Sequence, residues 1–277
     1  MTRSAAQGGS VHAARVFRVQ RAFTELGGPA HGPGELAETT GLDDSTVHRI
    51  LQSGVHDGTF VRESRGLYRL GSGAARLGLK ALMHEPNAAV AHAALEELRE
   101  ETDGGLVFLF VLAPFGGARK QCLDMAVGDS DLTELGIGHR ALLSISQSLR
   151  TGACGRAILA HLPEVIQDQV LAEPPPGEAG PGAYRDDGEL RTSLQDIRQS
   201  GYAVESEEWA RGWNGWAAPV SWDGLVMGSV LVLRPEGAGP RRPAACVQAV
   251  MGAAARFTQA SDSGAWSSRV PAARGHL

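Results

Sequence analysis

Apolar residues recur at helical spacing from Val11 to Leu26, with Val16, Val19, Ala22, Phe23 and Leu26 along one side, and Gly27-Gly28-Pro29 stops the pattern. A second short helix is predicted from Glu35 to Thr40, with Leu36 and Ala37 turned inward and Gly41 supplying a sharp turn. The next helix opens at Asp43, Asp44 or Ser45. Its apolar stripe is Val47, Ile50, Leu51 and Val55, which leaves Ser45, Thr46, His48, Arg49 and Gln52 to point away from the core. Asp57-Gly58 turns the chain into two short strand patterns, Phe60-Val61-Arg62 and Leu67 to Leu70, around Ser64-Arg65-Gly66. Three helices followed by a hairpin make a winged helix-turn-helix.

The pattern changes after residue 71. Gly71 to Met83 continues as a helix leading out of the first domain, Glu85-Pro86-Asn87 breaks it, and Ala88 to Thr102 is again helical. LVFLFVL, Leu106 to Leu112, is a continuous apolar run of strand length, with Gln121 to Val127 as its expected neighbour. Gly155 to Leu162 and Val165 to Leu171 are short helical patterns, and the segment EPPPGEAGPGAYRDDG is too rich in Pro and Gly to be regular. An amphipathic helix, Leu190 to Ser200, is followed by strands at Tyr202 to Glu205, Trp213 to Trp222 and Leu225 to Arg234, the last two joined at Asp223-Gly224. Ala244 to Ala260 is a final helix. The expectation is a mostly antiparallel sheet flanked by helices, an α+β arrangement.

These patterns divide the 277 residues into 1–72, a winged helix-turn-helix; 73–87, a linker helix; 88–260, the α+β domain; and 261–277, a polar tail expected to be disordered. With 43% hydrophobic and 21% charged residues the chain can bury a sizeable core. No run approaches the roughly 18 apolar residues of a membrane helix, and the N-terminus lacks the apolar centre of a signal peptide, so no membrane partner and a cytoplasmic location are expected.

Charge sharpens the division. Residues 1–80 carry 10 Lys+Arg against 7 Asp+Glu, whereas the rest of the chain carries 16 against 24, so a nucleic-acid contact belongs to the first segment. Short polar side chains at the start of a helix, followed by an arginine, suit base edges in a major groove, and hairpin arginines suit phosphate. The groove-facing set is therefore Ser45, Thr46, His48, Arg49 and Gln52, with Arg62 and Arg65 on phosphate. One of the two aspartates, Asp43, is expected to cap the helix; Asp44 stands where a carboxylate repels phosphate.

The stretches GELAETTGLDDSTVHRIL and FVRESRGLYRLG resemble the DNA-binding domain of the isocitrate-lyase-regulator (IclR) family of bacterial transcription factors. In the second half, GACGRAILAHLP resembles that family's small-residue turn and helix, and GYAVESEEWARGWNGWAAPV with LVMGSVLVL resembles its effector-domain signature. The likeness spans roughly residues 10–260. It implies a winged helix-turn-helix joined by a linker helix to a GAF-like effector-binding domain, assembled as a dimer or tetramer on a palindromic double-stranded operator.

The resemblance also implies a ligand site. Acid-sensing members surround a small carboxylate with backbone N–H groups, an acidic residue, a cysteine and two serines. Here Gly152 and Ala153 keep the turn, Glu205 falls at the acidic position, Gly215 at the cysteine position, and Leu231 and Leu233 at the serine positions. Leucines cannot donate to a buried carboxylate, and an unpaired polar group costs on the order of 1–3 kcal/mol. A two- or three-carbon acid is therefore disfavoured. Trp209, Trp213, Trp216 and Trp222 lie within 14 residues and serve either as core or as an aromatic wall for a larger, more apolar effector than glyoxylate or pyruvate, with Trp213 in the ligand-facing set.

Other chemistry is weakly encoded. The three cysteines are unpaired in sequence and no histidine pair has ligand spacing, so neither a metal nor a cofactor is expected. Cys154, in a turn whose N–H groups would lower a thiol pKa, is the one candidate for thiol-redox catalysis, but it has no neighbouring base, and the chain is not read as an enzyme. Glu207-Glu208 with Glu205 reads as a solvated edge. A protein-interaction module with decayed DNA binding is the alternative that Asp44 favours and the wing arginines oppose.

Overall fold

The computed structural model describes residues 10–82, 88–113, 117–136, 138, 142–143, 147–177, 179–222, 224–238 and 243–262. The chain divides into two compact units, one of Met1–Met83 with Pro163–Val165, the other of His84–Leu162 and Ile166–Leu277. The sequence-based reading of the tail beyond residue 262 and of Asp223 falls outside the described residues.

In the first unit α1 (Val11–Glu25), α2 (Pro33–Thr40) and α3 (Asp44–Asp57) precede a hairpin of β1 (Phe60–Ser64) and β2 (Leu67–Leu70). Pro33 lies at the start of α2, two residues earlier than the periodicity predicts, because a residue without an N–H fits a first turn. Gly41, at φ 64°, swings the chain into α3. The core joins Val19 and Phe23 of α1, Leu36 of α2, Val47, Ile50 and Leu51 of α3, and Phe60 and Tyr68 of the hairpin. The backbone of His31 exchanges both hydrogen bonds with Tyr68, at 2.8 and 2.9 Å, and so ties the α1–α2 connection to the hairpin. A helix α4 (Ser72–Leu82) follows; Gly73 donates to Gly58 O at 2.9 Å, an approach too close for any side chain there.

The second unit contains one antiparallel sheet ordered β5-β4-β3-β8-β7-β6, from β3 (Leu106–Leu112), β4 (Arg119–Ala126), β5 (Gln147–Ser148), β6 (Ala203–Ser206), β7 (Trp213–Trp222) and β8 (Leu225–Pro235). β3 is apolar throughout because both faces are covered: Leu106, Phe108 and Phe110 point to one core, Val107 and Leu109 to the other. On the first face lie α6 (Ala153–Leu159), α7 (Glu164–Ala172) and α8 (Asp187–Ser200); on the second, α5 (Ala88–Glu101) and α9 (Pro243–Asp262). This is the mixed α+β fold expected from the sequence. Among the described residues, no helix is long and apolar enough to cross a membrane.

Candidate functional site

In the first unit α3 buries Thr46, Val47, Ile50 and Leu51 and leaves Ser45, His48, Arg49 and Gln52 exposed. Thr46 is thus a correction to the groove-facing set. It precedes Ile50 by four residues and so shares the apolar stripe, leaving it 5% exposed. Asp43 is the N-cap: its Oδ1 accepts the N–H of Thr46 at 2.8 Å and the hydroxyl of Ser45 at 2.6 Å, and these bonds hold its carboxyl below the usual carboxylate range. Gln52 donates to the Tyr68 hydroxyl at 3.2 Å, linking α3 to the hairpin. Arg62 and Arg65 are exposed on β1 and its turn, and Asp44 is exposed in the first turn of α3. Arg49 also borders an open groove of about 340 Å³ against His12, Gln20 and Asp57.

The second unit gathers the other predicted residues around the turn before α6. Gly152 has φ 83°, a conformation that favours glycine. Strand register sets Glu205, Gly215, Leu233 and Leu106 in one row across β6, β7, β8 and β3. Leu231 lies two residues along β8, opposite Ala217 and Phe108. The turn and this row meet directly. Glu205 Oε2 accepts the N–H of Ala153, and Glu208 Oε2 accepts the N–H of Gly152 at 3.0 Å.

Contact is close at both glycines. A methyl on Gly215 would lie 2.7 Å from Leu233 Cδ2 and 2.8 Å from Glu205 Cγ, and one on Gly152 would lie 3.0 Å from Glu205 Oε2. Leu231 and Leu233 are fully buried and Trp213 is 8% exposed. The expected ligand-facing residues therefore pack on one another, with the protein's own carboxylates on the turn's two N–H groups.

Sequence reasoning missed the charges that stabilise this cluster. Arg156 on α6 pairs with Glu208 through Nη2 and Nε, donates to Ser193 Oγ at 2.6 Å and to Val204 O, and lies 4.9 Å from the Tyr184 ring centroid. Lys120 on β4 donates to Ser148 O at 3.0 Å and Thr151 O at 2.8 Å. Lys120, Arg156, Glu205 and Glu208 are each 1–3% exposed, so the solvated edge expected at Glu205 and Glu208 is overturned. Their sequence signal was a single arginine inside the otherwise small and apolar helix ACGRAIL, which implies a buried partner. Burial first, and then the charge of Glu208, push the Glu205 carboxyl up to about 7 against the Ala153 N–H, Arg156 and Lys120.

Cys154 is also buried, and burial pushes its thiol up to about 11, the reverse of the lowering expected from its turn. The tryptophans do not form one wall. Trp209 and Trp213 belong to the face of the site, while Trp216 and Trp222 pack on the opposite face, as strand alternation requires. Trp209, half-buried, sits with its ring 5.8 Å from Phe108 and 5.7 Å from Phe110. A cavity of about 400 Å³ opens on the opposite face of the sheet, lined by Ala218, Met251, Ala254 and Thr258.

A helix-turn-helix with a hairpin wing, followed by a separate sheet domain, defines the class: a helix-turn-helix protein carrying a second, α+β domain. The IclR helix-turn-helix domain matches residues 13–58, and the C-terminal domain of bacterial transcriptional regulator IclR matches residues 137–228. The chain belongs to the IclR family of bacterial transcriptional regulators, with a helix-turn-helix DNA-binding domain and a C-terminal effector domain.

Solved structures share the fold. The IclR transcriptional regulator of Alicyclobacillus acidocaldarius is 23% identical with a TM-score of 0.54, over 94% of this chain and 100% of that one. An IclR homolog from Microbacterium hydrocarbonoxydans, complexed with 4-hydroxybenzoate, is 23% identical with a TM-score of 0.52, over 90% and 100%. The IclR of Thermotoga maritima is 19% identical with a TM-score of 0.54, over 90% and 98%. None of the curated proteins compared with the chain matches it.

Proposed function

We propose that this regulator binds a palindromic operator as a dimer or tetramer and that a small molecule on its C-terminal domain shifts that binding. The carrying observation is the outer face of α3, where Ser45, His48, Arg49 and Gln52 are exposed beside a hairpin presenting Arg62 and Arg65. One winged helix addresses a single half-site, so two protomers are required for useful affinity. Asp44 weakens the phosphate contact without removing it, because Arg62 and Arg65 lie on a separate element.

The effector is larger and more apolar than glyoxylate or pyruvate. Buried Leu231 and Leu233 replace hydroxyl donors, and Trp213 with the Phe108–Phe110–Trp209 cluster makes the same face aromatic. Gly152, Ala153, Glu205 and Gly215 form the polar boundary of that face. A ligand bound more tightly in one DNA-binding state shifts the population of that state by the difference.

The test is a salt series of electrophoretic shifts on DNA flanking the gene, with an unrelated duplex as competitor. Selective retardation that weakens with salt is expected. Arg49→Ala should weaken or relax operator selectivity by about tenfold. Arg65→Ala should weaken all duplexes alike and reduce the salt slope by about 1. Asp44→Asn should tighten all duplexes. If neither arginine variant alters affinity, the placement of α3 and the wing on DNA is wrong.

A further inference from the structure

The Gly152–Ala153 turn, which resemblance would offer to a ligand carboxylate, is already liganded from within. The N–H of Ala153 is taken by Glu205 and that of Gly152 by Glu208. Glu205 reaches the turn from β6, across a row where Gly215 and Leu233 leave no room for a methyl group. Four buried charges face one another here: Lys120 from β4, Arg156 from α6, and Glu205 and Glu208 from β6 and the turn after it. With Glu205 ionised, two positive and two negative groups leave the cluster formally balanced, and Cys154 remains an uncharged thiol beside it.

We infer that Glu205 and Glu208 are resident occupants of this turn and that Glu205 is a specificity-determining residue: it excludes carboxylate effectors from the Gly152 and Ala153 N–H groups. The inference rests on the effector-domain reading above for its biological meaning, and on the hydrogen bonds alone for the occupancy. A third carboxylate would have to displace Glu205 into an apolar interior or add an uncompensated negative charge to groups only 1–3% exposed. An uncharged ligand meets neither penalty.

Glu205→Ala removes a fragment the size of acetate and keeps the β-carbon, so acetate is the matched probe. The full-length variant and the wild type are melted with increasing sodium acetate, using sodium chloride at equal ionic strength and acetamide as controls. The expected result is a saturable rise in the melting temperature of Glu205→Ala, about 5–10 °C near a hundredfold excess over Kd. The wild type should show no acetate response beyond chloride. If Glu205→Ala requires help to fold, acetate and not chloride should recover it in refolding, and Glu205→Gln, which fills the volume, should ignore acetate. A saturable acetate or 4-hydroxybenzoate shift in the wild type overturns the inference whether or not the alanine variant folds. So does a folded alanine variant indifferent to acetate. Loss of operator shifts would instead sink the DNA-binding reading and leave the occupancy intact, so the two failures are distinguishable.

Discussion

Arg156→Met should destabilise the C-terminal unit by about 3–5 kcal/mol, because it strands the Glu208 carboxylate in the interior without its guanidinium partner. The double variant Arg156→Met with Glu208→Gln should recover most of that loss. Neutral glutamine still offers an oxygen to the Gly152 N–H and leaves no unpaired charge. All five tryptophans follow residue 208, so tryptophan fluorescence in a denaturant series reports on this unit. Additive losses in the double variant would show that the pair does not act as a buried unit, and would contradict the cluster described for α6 and β6.

The second large effect is on pH dependence. Glu205 titrates at about 7 in the folded chain and near the ordinary glutamate value of 4.5 when unfolded. Below about pH 4.5 both states hold the proton and the group costs nothing. Between 4.5 and 7 the unfolded chain releases a proton that the folded chain keeps, so stability falls as pH rises. Above 7 the loss levels off at about 3 kcal/mol. Glu205→Gln should abolish this contribution: denaturant midpoints for wild type and variant should separate between pH 5 and pH 8, with the wild type losing more. Parallel pH profiles would mean that Glu205 is not buried as an acid.

The two aspartates that open α3 resolve into different roles. Asp43 is turned to the helix N–H groups and belongs to the fold, whereas Asp44 is exposed in the first turn of α3 and caps nothing. Spacing alone allowed the helix to open at Asp43, Asp44 or Ser45, and the expectation that Asp43 caps it agrees with its bond to the Thr46 N–H. Thr46 shows the converse limit. Polarity placed it outside, but helical geometry brings it within one turn of Ile50, and angular position outweighs a single hydroxyl.

What the sequence determined by itself was everything written as periodicity or punctuation. The apolar stripes of α1 and α3, the glycine at the α2–α3 turn, the hairpin and the apolar strand β3 follow from local spacing, because helix and strand repeats act over a few residues. The acidic position at Glu205 and its turn at Gly152–Ala153 were also legible, through resemblance. Only the tertiary structure decided what fills the space between them. Glu205 and Gly152 are 53 positions apart, Lys120 is farther still, and no local pattern records that a strand edge, a turn and a neighbouring strand converge. Burial then turns residues that looked like a solvated acidic edge into a neutralised interior cluster, because charges removed from water must find partners.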